Sequence, residues 1–368
     1  VDGTRSILPF HQQQLSFQQY RFSKTKIQNI METLVCTSPG HFSYQRAAIP
    51  QLTPGNTIIK IRRIGICGTD LHAFGGTQPY FNYPRILGHE LAGEIVETDG
   101  APGFGIGEAV TFIPYFNCGK CIVCRSGKPN CCTDIKVFGV HIDGGMSEYV
   151  SIPSYALVHG DGLSFDELAL VEMLSIGAHG ISRAGVREGE KVLVVGAGPI
   201  GLGVMEFARI AGAEVIALDV NAARLEFCRE KLGVKHTINA ATGNVSAELK
   251  HMTNGDMPTV IIDATGNLGA INNAFGYLAH GGRYVLVGLQ KGDISFSHPE
   301  FHKREATLMS SRNADRADFE HVIKCMKDGL IDPTTYITHR VTFAEVKNEF
   351  ESWLDPSNGV IKAMVSLE

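Results

Sequence analysis

Five of the nine cysteines in this 368-residue chain fall between Cys118 and Cys132. Cys118, Cys121 and Cys124 repeat with two residues between them, and Cys131 and Cys132 close the run. Four thiolates this close in sequence suit a tetrahedral zinc cage that leaves no position for water, which makes it a structural site. An iron–sulfur cluster and disulfides are the alternatives. The C-x2-C spacing, with no secretory pattern at the start of the chain, favours metal and a reducing compartment. A second set is scattered: Cys67 in GICGTDLH, His89 and Glu90 in ILGHELAG, and Glu172 in LVEMLSIGAHG. Singly these residues are unremarkable, since a lone buried cysteine behaves as a small hydrophobe. Together they offer one sulfur, one nitrogen and one or two carboxylates. That set suits a zinc with an open position where a substrate oxygen could bind.

A third constellation is the loop Gly196-Ala-Gly198-Pro199-Ile200-Gly201, of the form G-x-G-x-x-G. A short apolar run precedes it, a helical pattern follows, and Asp219 closes the next apolar run. This is the arrangement that binds dinucleotides. The first glycine makes the turn, the second admits the pyrophosphate, and the third lets helix and strand pack closely. The helix N-terminus offers free N–H groups to phosphate. Asp219 would bind the adenosine ribose diol and repel a 2′-phosphate, favouring NAD over NADP, with the nearby Arg224 tempering that preference. Thr265 and the run Val287-Gly288-Leu289 stand at two further strand ends, where cofactor contacts or simple turns are expected.

These residues need elements to hold them. From Lys191 onward, short apolar strands alternate with helical stretches, as in KVLVV, PIGLGVMEFARIAG and EVIALD, which predicts βαβ units and a doubly wound parallel sheet. Before that, short strands broken by Gly and Pro (TIIKIRRIGI, GEIVE, AVTFIP, SEYVSI) predict a barrel-like β region. Ser164 and Glu167 have capping-box spacing at the head of a helix over 165–184. After Asp315 come a helix over 316–328, a strand near 339–343, a helix over 344–354 and a last strand that could return to the first region. The fold class is therefore α/β, and the length favours more than one domain. Apolar residues make up 44% and charged residues 19%, with a net charge of −5. No basic stripe with interleaved aromatics points to nucleic acid, and no apolar run approaches the ~20 residues that span a membrane. Residues 1–30 are Gln-rich and precede the first Met. They read as an expression scar or upstream translated sequence, with a genuine N-terminal arm as the alternative.

Gly65–His72, Gly88-His89-Glu90, Cys118–Cys132 and Val195–Gly201, in that order, resemble the zinc-dependent medium-chain dehydrogenase/reductases of the alcohol dehydrogenase superfamily. The resemblance runs from about Met31 onward. It implies a GroES-like catalytic domain over 31–180, a Rossmann domain over 181–315, a return to the catalytic domain over 316–368, and a cytoplasmic homodimer or homotetramer. It also selects Cys132 over Cys131 as the fourth cage ligand. GGTQPYFNYPRILGHE and FSHPEFHKREATLMSSRNA resemble the bacterial L-galactonate/L-gulonate 5-dehydrogenases within the polyol and sugar-acid branch. This implies hydride transfer to NAD from a secondary hydroxyl of a hexonate, with Thr69 accepting the hydroxyl proton and His72 passing it outward. Their plain alternatives are a backbone cap and a surface imidazole.

Met173 stands where the family usually has proline, so Glu90 and Glu172 rank together as third and fourth ligands, with contact through water as the alternative for one of them. A sugar acid needs a cation for its carboxylate. Arg312, with Asn313 beside it, would supply a bidentate fork, and the alternative is a salt-bridged interface arginine. His302 and Lys303 are weaker candidates. The rival functions are a neutral polyol, L-threonine or other secondary-alcohol dehydrogenase, and, from another class, a non-catalytic dinucleotide-binding protein.

Overall fold

The alternation that begins at Lys191 builds a six-stranded sheet in which every pairing is parallel. The computed structural model describes residues 30–78 and 81–368, so the expectation for 1–30 lies outside the described residues except for Ile30. In spatial order the strands are His236–Asn239, Glu214–Asp219, Lys191–Val195, Val260–Asp263, Arg283–Leu286 and Thr307–Ser310. Alternate side chains leave opposite faces of a strand, and here the two faces feed two cores. Val192, Val194 and Ala217 enter one, while Leu193, Val195 and Ile216 enter the other. Strand order reverses beside Lys191–Val195. The glycine loop that follows therefore opens at a switch point, where sheets of this kind bind ligands.

The first part of the chain forms a larger mixed sheet in which Glu90–Thr98 and Tyr149–Pro153 pair with Asn56–Gly65. Its order continues into Lys362–Ser366, antiparallel to Asn56–Gly65, and then Ile337–Thr342. The tail thus lies in the first sheet, some three hundred residues from its neighbour in sequence. The helix Phe165–Ala184 starts on the Ser164–Glu167 capping box and stops at Gly185, which has a left-handed backbone. It lies against the helix Pro199–Ile210 with no side chain between them at Gly177: a Cβ there would come 2.6 Å from the Gly203 carbonyl carbon.

Helical winding tightens in two places. The helix Leu268–Ala274 runs into the 3-10 turn Phe275–Tyr277, which holds Gly276, a poor helix former. The stretch over 344–354 is helical only over Val346–Glu349, with 3-10 turns on either side. The tighter winding eclipses residues three apart, and it brings the Phe350 and Trp353 rings together at a tilt, with centroids 5.3 Å apart. The short helix Gly68–Phe74 and the edge strand Thr307–Ser310 carried no sequence expectation.

The returning strand brings Lys362 into the interior, where its side chain is 1% exposed. Its Nζ donates to both carboxylate oxygens of Glu90, at 2.7 and 2.6 Å, and to the Ile66 carbonyl at 3.0 Å. All three ammonium protons are used. Lys362→Met leaves Glu90 buried without its partner and should cost ~3–5 kcal/mol of stability. Urea unfolding would read this as a lower midpoint with an unchanged slope, and a loss below ~1 kcal/mol would mean the pair does not hold the sheet.

Candidate active site

Cys67 caps the N-terminus of the helix Gly68–Phe74. Asp70, one turn on, accepts the Cys67 N–H at 3.0 Å with one oxygen and the Gly88 N–H at 3.0 Å with the other. One buried carboxylate therefore locks together the two turns that carry Cys67 and His89. Gly139 and Gly144 let a second loop press on the same turn, since a Cβ on either would lie within 2.8 Å of the Gly88 carbonyl oxygen. Glu90 opens the strand Glu90–Thr98 and is fully buried. Its place depends on Gly65, where a Cβ would come 2.3 Å from the Glu90 carboxylate.

The ligand atoms of Cys67, His89 and Glu90 all lie within 4.8 Å of one another. Glu172 stands outside that trio, 4% exposed, on the unbroken helix through Met173. The Tyr115 hydroxyl donates to its carboxylate. Burial raises the pKa of Glu172, and Glu90 raises it further, against the pull of His89, Tyr115 and Lys362. Burial disfavours the His89 imidazolium, yet Cys67, Asp70 and Glu172 together hold its pKa well above the usual value. His89 Nδ1 is buried with no hydrogen bond among the described residues; Asp70 is its nearest acid, at 3.8 Å. A thiol, an imidazole with an unsatisfied nitrogen and a carboxylate converging in the interior fit a zinc ion.

The sulfurs of Cys118, Cys121, Cys124 and Cys132 form a second group within 4.8 Å of one another, and Cys131 lies outside it. All nine cysteines are free thiols. Backbone N–H groups point at the sulfurs: Cys118 N–H at Cys132, 3.3 Å, and Cys121 N–H at Cys118, 3.4 Å. Those of Thr133 and Cys124 draw the Cys121 thiol down to about 5. Four sulfurs gathered this closely fit an all-sulfur zinc cage.

At the glycine loop the three glycines have different reasons to be glycine. Gly196 has φ +103, and a Cβ there would meet Thr265 at 2.8 Å. A Cβ on Gly201 would sit 1.9 Å from the Gly196 carbonyl oxygen. Gly198, the N-cap before Pro199 and Ile200, meets nothing closer than the Arg224 guanidinium at 3.7 Å. The protein itself does not require glycine there, so the space is left for a ligand. Asp219 accepts the Ala197 N–H at 2.7 Å, which holds its carboxylate against the loop. Thr265 donates to the buried Asp263 at 2.8 Å, and Gly288 allows its strand end to touch Gly266. Val287 lies over Gly180, while Leu289 is 76% exposed at the same sheet edge.

Thr69 is half-buried beside Cys67, and His72 is exposed with its Nδ1 3.1 Å from the Thr77 hydroxyl. Arg312 is exposed and has no carboxylate partner among the described residues. Asn313 has φ +54 and donates its side-chain amide to the Asn130 carbonyl. His302 and Lys303 are exposed on the short helix His298–Lys303. Sequence reasoning missed Lys362, Asp70, Tyr115 and Ser311, whose buried hydroxyl has no partner among the described residues. Only Lys362 carried a signal, a lone cation inside the apolar run VIKAMVSL.

This geometry can be set beside known proteins. The alcohol dehydrogenase GroES-like domain matches residues 53–161, and the zinc-binding dehydrogenase domain matches residues 199–328. The chain belongs to the zinc-type medium-chain alcohol dehydrogenase family and is an oxidoreductase. It is 42% identical to L-galactonate-5-dehydrogenase of Escherichia coli (strain K12) over 337 residues, which cover 91% of this chain and 99% of that protein. Sorbitol dehydrogenase of Halalkalibacterium halodurans is 32% identical over 325 residues, covering 86% of this chain and 94% of that one. Among solved structures, the short chain alcohol dehydrogenase rspB of E. coli CFT073, complexed with NADH, superposes with a TM-score of 0.86 at 29% identity. It covers 92% of this chain and 100% of its own. None of the helices among the described residues is long and apolar enough to cross a membrane.

The glycine loop gives a paired test. Gly201→Ala should fold poorly and lower Tm. Gly198→Ala should keep Tm within ~2 °C, because 3.7 Å is ordinary contact, yet weaken NADH binding about tenfold or more by fluorescence titration. Equal effects of the two changes on Tm would refute the distinction.

Proposed function

We propose that the protein oxidises a secondary hydroxyl of a sugar acid, of L-galactonate or L-gulonate type, to the 5-keto acid and passes the hydride to NAD. The observation that carries the acid end is Arg312, a solvent-facing guanidinium with no carboxylate partner among the described residues. His141 senses the same positive region: burial first, then Arg312, Lys136 and Arg85, lower its pKa. Its loop is the one that presses on Gly88. A bidentate guanidinium is the group best matched to a carboxylate. The L-galactonate-5-dehydrogenase relative supports the same substrate class.

Cys67 and His89 would hold the catalytic zinc, with Glu90 and Glu172 as third and fourth ligands and one of the two acting through water, and the ion would supply a Lewis acid for the substrate oxygen. Thr69 accepts the hydroxyl proton and His72 passes it to solvent, with Thr77 orienting the ring. Lys362 neutralises Glu90 and limits the negative charge gathered at the site. Tyr115 fixes the Glu172 carboxylate and keeps its rotamer from wandering. Asp219 takes the adenosine ribose diol, so NAD is preferred over NADP, and Arg224 lies over the pyrophosphate turn at Gly198. Cys118, Cys121, Cys124 and Cys132 would hold a second, structural zinc. The catalytic domain comprises 31–180 and 316–368 around a coenzyme domain over 181–315. Free thiols throughout accord with a reducing cytoplasm.

The assembly is a homodimer or homotetramer. Among the described residues, no strand pairs with the outer edge of Thr307–Ser310, and Leu308 there is 38% exposed. Such an edge invites a second copy, and a monomer by sedimentation would refute this. The second reading is a neutral polyol dehydrogenase, favoured by the sorbitol dehydrogenase relative.

A panel of aldonates, polyols and L-threonine, with NAD and NADP, separates the readings through NADH absorbance. Arg312→Leu should lower kcat/KM for the hexonate by about 100-fold, the scale of a lost charge-assisted bidentate contact, and lower it far less for a neutral polyol. Equal losses on both would sink the carboxylate role. Metal analysis should find two zinc ions per chain. Cys124→Ser should remove one and lower Tm, and an undiminished count would refute the cage.

A further inference from the structure

Asn130 sits in the 3-10 turn Pro129–Cys131, between the third and fourth cysteines of the cage, and is 6% exposed. Its hydrogen bonds leave the cysteine loop. The side-chain amide donates to the Arg312 carbonyl at 3.0 Å and lies 3.1 Å from His179 Nε2. Its own carbonyl accepts the Asn313 side-chain amide at 3.0 Å. His179 lies on the helix that carries Glu172, and its Nδ1 faces the Asp318 carboxylate at 2.7 Å. With Asn130 Nδ2 donating to Nε2, Nδ1 is the ring nitrogen that donates to Asp318. Asp318 and Asp315 cap each other at the start of the helix Arg316–Lys327. The backbone from Arg312 to Asp315 is therefore gripped from both ends. Asn313 holds a left-handed conformation, which its short polar side chain tolerates better than most.

We propose that Asn130 is a positioning residue for the acid end of the substrate. From inside the cysteine loop it fixes the peptide at Arg312, and thereby the direction of the guanidinium. This rests on the reading of Arg312 as the carboxylate receptor. The cage, though it holds no reacting atom, then sets substrate choice: a folded cysteine loop presents Asn130, and Asn130 presents Arg312. Other groups nearby do not fill this role. The Ser311 hydroxyl makes no bond among the described residues, and Asn313 spends its amide on Asn130.

The test is Asn130→Ala in the zinc-loaded enzyme. Amide hydrogen exchange over 311–315 should speed up. KM for the hexonate should rise about tenfold more than KM for a neutral polyol, the scale expected when a contact is misplaced rather than removed, while kcat changes little. In an Arg312→Leu background the same change should add nothing to the hexonate KM. Unchanged exchange over 311–315, or an equal rise in both KM values, overturns the proposal. Should Asn130→Ala fail to fold, Asn130→Leu fills nearly the same volume and removes the donor to the Arg312 carbonyl, and unchanged exchange over 311–315 in that variant overturns the proposal equally. The two readings fail differently. If Arg312→Leu affects acid and polyol alike while Asn130→Ala still loosens 311–315, the carboxylate role is what has failed.

Discussion

A buried cluster of ionisable groups has to be charge-balanced, and here Lys362 does the balancing. Cys67, Asp70, Glu90 and Glu172 bring several potential negative charges into an interior that His89 alone cannot offset. Each would be costly to desolvate without an opposite charge. Burial lowers the pKa of Lys362, but Glu90, Cys67 and Glu172 together outweigh it and raise the value overall, so the ammonium stays charged. The consequences reach the sheet. Gly65 must be glycine to admit the Glu90 carboxylate, and Ile66 must turn its carbonyl toward Nζ. The returning strand must seat in a register that places Lys362 beneath both.

The two candidate metal centres represent opposite solutions to one problem. The cysteine cage gathers its ligands within fifteen residues, so little loop entropy opposes it, and local N–H groups prepare its sulfurs. Cys67, His89, Glu90 and Glu172 span a hundred residues and depend on strands, a long helix and the Asp70 crosslink. The dense motif can form from its own loop. The sparse one is only as good as the fold around it, and Asn130 shows the dense motif lending part of that support.

This difference also decided what could be read from the sequence. The parallel sheet was legible because fully buried strands are continuous apolar runs and their helices carry clear caps. The cysteine run and the glycine loop were legible because their chemistry is local. Lys362 was present in the sequence but spoke for no partner, since nothing local ties it to Glu90. Asp70 and Tyr115 are ordinary residues whose roles come from what the fold sets against them. The edge strand Thr307–Ser310 has neither a continuous apolar run nor clean alternation, because only one residue of its four is even half-buried. Asn130 and Asn313 act through backbone carbonyls, which a sequence does not display.

The place of the strand Lys362–Ser366 inside the first sheet has a further consequence, for the order of biosynthesis. Glu90 and Lys362 are 272 residues apart. At ~5–20 residues added per second, Glu90 is made roughly 15–50 s before its counter-ion. Throughout that interval Arg63–Gly65 lack their neighbouring strand, and water is the only solvent for the Glu90 charge. The nascent first half therefore cannot seal, however complete its own hydrophobic pattern. The six-stranded parallel sheet is translated within the same interval and holds all its own strands, so it can close before the first sheet does. The order in which the two sheets can close is then the reverse of their order along the chain.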